Sequence, residues 1–447
     1  MTTKIILKKI VLIGLLSSTA LIAQTNWTKH PTPVLSRSAV FPNWKGLATA
    51  DAFVMNDNDT LKMWYSGSGW LTSTDDCPHV RMGYAWSSDG INWNEYAGNP
   101  VLNINSDTSK FDADGIETPT VIKDLTAPIN QRYKLWYAGR KARCKPINDH
   151  KFGYAYSPDG ITWTKYTGNP VLVPGDSSSW YNTFVSGPSV ILESGIYKMW
   201  FTAPDLVINN QPTDGKGNIG YATSTDGMNW TVYTSPVLIA GAQSNWDSVS
   251  CAEPSVIKVG ATYHMFYSAL DQWTIENFQV GYATSTDGIN WIKSTQNPVL
   301  HIGTMGQWDR YWAAHPTAIY DSTNNKFRLW YTGRDTATIV SLTGYYWDIG
   351  YAESIFFSMG ITEINNDKKL VAVYPNPAKN NLNIQLSFDL KNAEINIYNQ
   401  LGQIEKSISN INSRNIKIET ADLSNGMYFI LLQDGDRQAS VKFIINK

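Results

Sequence analysis

Charge and sulfur are what this chain has least of. Charged residues make up 17% of its 447 positions, with acids exceeding bases by two, where ordinary globular domains carry about a quarter. Nucleic acid or an anionic membrane surface would find no basic field to bind. Cysteine occurs three times, at Cys77, Cys144 and Cys251. Thiols this widely spaced, with no Cys or His partner nearby in sequence, make no zinc site. In an oxidising compartment an odd count leaves at least one thiol unpaired. Cys77 and Cys144 fall in equivalent loops of successive repeats and are a candidate disulfide; three free buried thiols is the equal alternative. Long apolar runs are missing too, except near the start. There Lys4, Lys8 and Lys9 precede the run from Ile10 to Leu16 and on to Ala23, the pattern of a signal peptide over residues 1–23, cut before Gln24. No later run is long enough to span a bilayer, so a soluble mature protein is expected.

What is abundant is aromatic residues, 13% with 18 Trp, together with 32 Gly. That mixture suits a β-rich secreted protein with many turns, and the length suits two or three domains. The chain also repeats itself. A Ser-x-Asp-Gly-(Ile/Met)-x-Trp turn recurs at Asp89, Asp159, Asp226 and Asp287, in steps of 70, 67 and 61 residues. A strand recurs as KMWY at Lys62, KLWY at Lys134, KMWF at Lys198, HMFY at His264 and RLWY at Arg328. The next strand recurs as GYAWS, GYAYS, GYATS, GYATS and GYAES from Gly83, Gly153, Gly220, Gly281 and Gly350. Each repeat reads as four antiparallel strands, and five such units that bury their faces only against neighbours predict a five-bladed β-propeller.

The fifth unit lacks its Asp-Gly turn and fourth strand. The missing piece stands near the other end, where Asn26-Trp27-Thr28-Lys29 and Thr32-Pro33-Val34-Leu35 match Asn290-Trp291 and Asn297-Pro298-Val299-Leu300. The N-terminal strand is therefore expected to complete the last blade and close the ring, leaving no open edge. The Asp-Gly turns read as structural: Asp accepts backbone hydrogen bonds, Gly takes the positive φ, and Trp packs between blades.

Counting strands puts the start of strand one and the end of strand two on one face, away from those turns. At that face the residues preceding the first-strand apolar run vary from blade to blade: Ala50-Asp51-Ala52, Glu117-Thr118-Pro119, Ser186-Gly187-Pro188, Ala252-Glu253-Pro254 and Ala314-His315-Pro316. A purely structural repeat has no reason to vary there. The ends of strand two add Arg140, Asp205, Asp271 and Arg334. The loops leading into the blades bring Trp180, Trp246, Trp308 and Trp312 with Asp112, Asp114 and Asp309. Carboxylates beside aromatic rings on a concave surface are what sugar binding uses. Asp51, Glu253 and Glu117 are the catalytic candidates. Asp112, Asp114, Arg140, Asp205, Trp246, Asp271, Trp308, His315 and Arg334 are the substrate-binding candidates. Arg140, Arg334 and His315 point to an anionic polysaccharide, one bearing uronic acids or sulfate. No cofactor is implied; oxygen ligands are plentiful enough for calcium, but no spacing specifies one.

These motifs resemble those of the five-bladed propeller glycosidases, the arabinanase, β-xylosidase and invertase superfamily, glycoside hydrolase families 43 and 32, over about residues 26 to 355. The resemblance implies that Asp51, at the blade-one position, is a catalytic base and that Glu253, within one residue of the blade-four position, is the general acid. A third carboxylate, which in that family opens blade three and tunes the acid, is not matched: Ser186-Gly187-Pro188 stands there, and blade two offers Glu117 instead. The turn also resembles the Asp-box of sialidases, though its spacing is one residue shorter. Paired carboxylates with opposed protonation would hydrolyse a glycosidic bond. A glycan-binding propeller without activity and a surface adhesin are the alternatives, since fold alone implies no reaction.

Past Ser358 the composition shifts through a linker at 359–369. Residues 370–447 alternate apolar and polar in short strands, as in a small Ig-like β-sandwich. VYPNPAKNNLNI, IYNQLGQ, LSNGMYFI and KFIINK look like the C-terminal sorting domain of the type IX secretion system. The resulting expectation is a propeller over 24–358 and a sorting tail, exported to the cell surface or beyond by type IX machinery, acting on carbohydrate as a monomer.

Overall fold

The computed structural model describes residues 27–355 and 371–447, without 75–76, 142–148, 209–210, 272–276, 335–345, 388, 400–403 and 435–436, and without the side chains of 205–208, 211–216, 355, 371 and 437–440. The expected signal peptide, the linker and Cys144 lie outside the described residues. The chain divides into two compact units, one of residues 24–357 and one built on residues 358–447.

The larger unit is five antiparallel blades of four strands, of which one and two, and three and four, are joined into eight-stranded sheets by single parallel bridges, Val80 to Gly115 and Gly217 to Ser250. Blade one runs Ala48–Asp57, Thr60–Gly69, His79–Ser87, Asn94–Glu95; blade two Gly115–Lys123, Tyr133–Arg140, Lys151–Ser157, Thr164–Lys165. Blade three runs Ser186–Glu193, Ile196–Ile208, Gln211–Ser224, Thr231–Val232; blade four Ser250–Val259, Thr262–Leu270, Gln279–Ser285, Ile292–Lys293. Blade five takes Trp312–Asp321, Lys326–Arg334 and Asp348–Ile355 from one part of the chain and Trp27–Lys29 from another. Trp27 pairs with Ser354 and Lys29 with Ala352, so the fourth strand is supplied as the repeats require. The five first strands neighbour one another in turn, and the fifth neighbours the first, which closes a propeller-like ring.

The repeated residues explain how blades hold each other. The Trp of the second strand in four of the blades is fully buried and donates its indole N–H to the Gly carbonyl of the next blade's turn: Trp64 to Gly160 (2.7 Å), Trp136 to Gly227 (2.7 Å), Trp200 to Gly288 (2.8 Å) and Trp330 to Gly90 (2.8 Å). Each of those glycines has φ between 77° and 82°, where a Cβ is costly. Blade four alone has Phe266 in place of Trp, and the blade it faces alone lacks the turn. Trp27 covers Phe266 edge-on instead, with ring centroids 5.5 Å apart. The Asp of each turn accepts two backbone N–H groups, as at Ile91 and Asn92 from Asp89, which confirms its structural reading.

A second repeated device lies inside each blade. An aromatic from the lead-in loop packs on the Tyr or Phe of strand two: Trp44 on Tyr65, Phe111 on Tyr137, Trp180 on Phe201, Trp246 on Tyr267 and Trp308 on Tyr331. These rings fill the space a Cβ would need at the Gly of the GYA motif. At Gly350, for example, it would fall 2.6 Å from both Trp308 and Tyr331. The residue after the loop aromatic forms an ion pair with strand four: Asp112 with Lys165 (2.6 Å), Asp247 with Lys293 (2.5 Å) and Asp309 with Lys29 (2.5 Å). Blade one reverses the charges, Lys45 to Glu95 at 2.6 Å. Blade three, whose strand-two ring is Phe201, has Tyr181 and Val232 there and packs them in its apolar core.

The smaller unit has two sheets. One joins Val371–Tyr374, Asn381–Leu386 and Asn415–Glu419; the other joins Ile404–Ile411, Ala393–Tyr398, Gly426–Asp434 and Arg437–Ile445. Its core takes the alternate residues the pattern predicts, among them Leu382, Ile384, Ile395, Ile397, Ile430 and Leu432. Cys77 is disulfide-bonded and Cys251 is a free, buried thiol.

Candidate functional site

Every first strand breaks its pairing with the second at the same place: between Ala50 and Phe53, Glu117 and Thr120, Ser186 and Ser189, Ala252 and Ser255, Ala314 and Thr317. At each bulge one residue adopts the left-handed conformation, Asp51 at φ 51°, Thr118 at 50°, Gly187 at 57°, Glu253 at 52° and His315 at 48°. That conformation costs a non-glycine residue about 1–3 kcal/mol and persists only where the surroundings enforce it. Here hydroxyls of the preceding blade help to enforce it, accepting the amide N–H of Asp51 (Thr332, 3.0 Å), Thr118 (Ser66, 3.2 Å), Glu253 (Thr202, 2.6 Å) and His315 (Ser268, 2.8 Å). All four hydroxyls follow directly on the KxWY strand motif. Blade two has Ala138 there, and the Gly187 amide uses Thr118 Oγ1 at 3.3 Å.

The bulges bring three side chains together. His315 lies between Asp51 and Glu253, with Nδ1 2.8 Å from Asp51 Oδ1 and Nε2 2.7 Å from Glu253 Oε1. Burial alone would depress the imidazole's pKa, but the charges of Glu253 and Asp51 hold it well above its ordinary value. The second oxygen of Glu253, Oε2, is buried without a hydrogen-bond partner. Gly187 leaves room beside it: a Cβ there would lie 3.1 Å from the Glu253 Cα and 3.4 Å from its Cγ. The ring of His315 is nearly parallel to Trp312 (centroids 6.4 Å apart), and Trp312 is itself stacked on Trp347 (5.8 Å) and on the Arg334 guanidinium (4.9 Å).

Glu117 sits one residue before its bulge, as its sequence offset suggests, and faces a different set of partners. His150 Nε2 is 2.8 Å from its Oε1, and Arg140 Nε is 3.7 Å away. Burial would raise this carboxyl, yet His150 and Arg140, with a contribution from His315, pull it down to about 2. Arg140 also meets Asp114 at 3.2 Å, and Asp114 takes His79 at 3.0 Å. The carboxylate–imidazole cluster therefore continues from Glu117 to His79. Beyond the bulges the axial channel opens into a cavity of about 450 Å³ whose walls include Met55, Ile191, Ile257 and Ile319.

Several sequence candidates lie elsewhere. Asp112 is buried in the ion pair with Lys165 and accepts the Tyr137 hydroxyl, so it braces blade two rather than meeting a sugar. Trp246 and Trp308 are the intrablade rings described above, packed on Tyr267 and Tyr331; the sequence pattern could not separate them from platform aromatics because both need a Trp near a carboxylate. Asp114 is buried against His79 and Arg140. Arg334 is 2% exposed, against Trp312. With Arg140 held by carboxylates and His315 held by two more, the expectation of an anionic substrate loses its basis. Asp271 is half-buried just past the end of strand two of blade four, and the side chain of Asp205 lies outside what is described. His79 and His150 were missed; nothing in their spacing marked them. Among the described residues, the group of metal-ligand types that comes within coordinating distance is Cys77, His79 and Asp114. The Cys77 sulfur is in a disulfide, and this is not the oxygen cage calcium requires.

Solved structures share this architecture. The chain aligns over 76% of its length, and 95% of the other's, with a structure described as a glycoside hydrolase, at TM-score 0.57 and 18% identity. It aligns over 75% of its length, and 95% of the other's, with a structure from work on mannoside phosphorylases and glycoside hydrolases that target β-1,2 mannosidic linkages in Candida mannan, at TM-score 0.54 and 16% identity. The larger unit has the fold of the propeller glycoside hydrolases. Among curated relatives, an uncharacterised protein of Mycobacterium tuberculosis is 27% identical over 196 residues, 44% of this chain and 54% of its own length. A 1,2-β-oligomannan phosphorylase of Thermoanaerobacter is 23% identical over 131 residues, 29% of this chain and 44% of its own length. The chain thus spans about half the length of the curated relatives it matches. Residues 372–446 match the family described as the secretion system C-terminal sorting domain, and such a tail implies type IX export. No helix among the described residues is long and apolar enough to cross a membrane.

Proposed function

We propose that the propeller is an exported glycoside hydrolase that cleaves a neutral glycan with Asp51 as base and Glu253 as acid. The observation that carries this reading is their meeting across one imidazole, from blades one and four, where the five bulges converge. The second carboxyl oxygen of Glu253, Oε2, has no hydrogen-bond partner, so a proton carried there would be free to be donated to a glycosidic oxygen. Glu117, held near 2 by its cations, stays ionised and serves to position rather than to donate.

A related reaction, phosphorolysis, is suggested by the Thermoanaerobacter relative. It requires cations to hold phosphate, and Arg140 at this site is already engaged by Asp114 and Glu117, which favours water as the acceptor. Incubating the protein with neutral oligosaccharides, β-1,2-mannosides among them, with and without orthophosphate, decides the matter. Hydrolysis predicts free sugar independent of phosphate; a sugar 1-phosphate product would replace this reading with phosphorolysis. Binding without turnover on every glycan would leave a lectin-like propeller, and no binding at all an adhesin.

A further inference from the structure

We propose that His315 is the proton store of the site, an imidazolium that supplies Glu253 with the proton it donates. The inference rests on the hydrolase reading above and deepens it. Its basis is geometric. A neutral imidazole has one N–H and one lone pair. With carboxylate oxygens at 2.8 Å from Nδ1 and 2.7 Å from Nε2, either neutral tautomer would point a lone pair at an anion. A doubly protonated ring is a cation between the two carboxylates and leaves no such conflict; its contact with Asp51 is an ion pair rather than an aligned hydrogen bond, since Asp51 Oδ1 has no hydrogen-bond partner.

The surroundings of the ring agree. The groups that face His315 are Asp51 from blade one and Glu253 from blade four, with Glu117 of blade two adding its charge at longer range. On its own blade it lies parallel to Trp312, whose other partners include Arg334. At the blade-three bulge there is Gly187 and hence no side chain to tune the acid. His315 supplies a different solution: a proton carried next to the acid rather than on it.

The step balances. As the glycosidic oxygen approaches, the Nε2–H bond breaks and an O–H bond forms on Glu253, leaving a neutral imidazole that keeps its Nδ1–H on the side of Asp51. Glu253 then gives the proton to the glycosidic oxygen as the bond to the anomeric carbon breaks. The attacking water releases its proton to Asp51, which passes it to solvent, and solvent reprotonates the imidazole. His315 acts through Glu253 and is a positioning residue in this scheme.

Two measurements test the proposal. The first is nitrogen-15 NMR of the intact protein labelled at its six histidines, with His315 assigned by its loss in His315→Asn. Both nitrogens of His315 should carry protons at pH 7 and keep them past pH 8. Glu253→Gln and Asp51→Asn should each bring the titration down. A singly protonated ring in the parent at pH 7 overturns the proposal whatever the enzyme does. The second is turnover of neutral oligosaccharides, whose sugar leaving group, unlike an activated aryl one, needs the proton. His315→Asn, whose side chain tolerates a left-handed backbone, should lower kcat by about 10²- to 10⁴-fold and remove the alkaline limb of the kcat/KM profile. Added imidazole should restore part of the rate to His315→Ala. An unchanged pH profile in His315→Asn overturns this inference while sparing the hydrolase reading. A parent that turns over no glycoside or oligosaccharide, yet shows the doubly protonated ring, overturns the hydrolase reading and with it the donor role.

Discussion

Two sets of equivalent positions in this propeller are built on opposite plans. At the blade junctions the residue stays the same: Trp64, Trp136, Trp200 and Trp330 each reach the Gly carbonyl of the next blade. At the inner-strand bulges the backbone stays the same while the side chain changes, from Asp51 to Thr118, Gly187, Glu253 and His315, all within ten degrees of one another in φ. The first set shows what the ring needs to stay closed. The second shows a conformation kept in every blade, and kept for non-glycine residues at some cost, with its side chain left to vary. Strain held constant under a varying side chain marks a platform for chemistry, and three of the five side chains on it touch.

The sharpest way to break this comparison is to substitute one residue from each set and read both stability and activity. Glu253→Gln, in the bulge set, should lower turnover by about 10²- to 10⁴-fold, roughly 3–5 kcal/mol of barrier, with the thermal midpoint little changed. Trp200→Ala, in the junction set, should do the reverse. Its ring is fully buried and its N–H would be lost with it, so destabilisation of about 3–5 kcal/mol in urea titrations is expected, with activity per folded molecule retained. Loss of activity from Trp200→Ala without loss of stability would merge the two sets.

The sequence showed the junction set more clearly than the bulge set, for a physical reason. Burial against a fixed neighbour restricts a residue's identity, so Trp and Gly recur and can be counted. Ring closure by Trp27–Lys29 and the two-sheet tail were legible in the same way, through period and alternation. A bulge leaves only a gap in the apolar pattern, which located Asp51 and Glu253 but said nothing of how far their side chains reach. That His315 lies between them, that His150 claims Glu117, and that Asp112, Trp246 and Trp308 turn into the blades are facts of side-chain direction. One signal was overlooked: Ser66, Thr202, Ser268 and Thr332 all follow the KxWY motif, a hydroxyl kept at the end of an apolar strand for which a propeller core has no use.

Within the bulge set, acid should separate Glu117 from its neighbours. Its carboxyl is held near 2 in the folded protein against an ordinary value of 4.5. A depressed acid stabilises the fold fully above its unfolded pKa and ceases to do so as pH falls through the folded one. A contribution on the order of 3 kcal/mol should therefore persist down to about pH 4.5 and fade towards pH 2. Urea midpoints measured between pH 6 and pH 2 should show this loss in the parent. Glu117→Gln should be less stable at pH 6 and flatter across the range; an equal slope in both proteins would mean that His150 and Arg140 do not hold that carboxylate.

The smallest effect tests the junction logic inside a blade. Asp112–Lys165, Asp247–Lys293 and Asp309–Lys29 place the acid on the loop and the base on strand four, while Lys45–Glu95 reverses them and blade three has neither. If only the pairing matters, Lys45→Glu or Glu95→Lys alone should cost about 1–2 kcal/mol, because each leaves like charges facing one another with one of them largely buried. The double exchange should recover to within about 0.5–1 kcal/mol of the parent, giving a coupling energy that a double-mutant cycle in urea reads directly. Incomplete recovery would locate the difference in Tyr65, whose hydroxyl donates to Glu95 at 2.7 Å and would face an ammonium after the exchange. Adding Tyr65→Phe, which gives blade one the ring that blade three already has at Phe201, should then remove most of what remains.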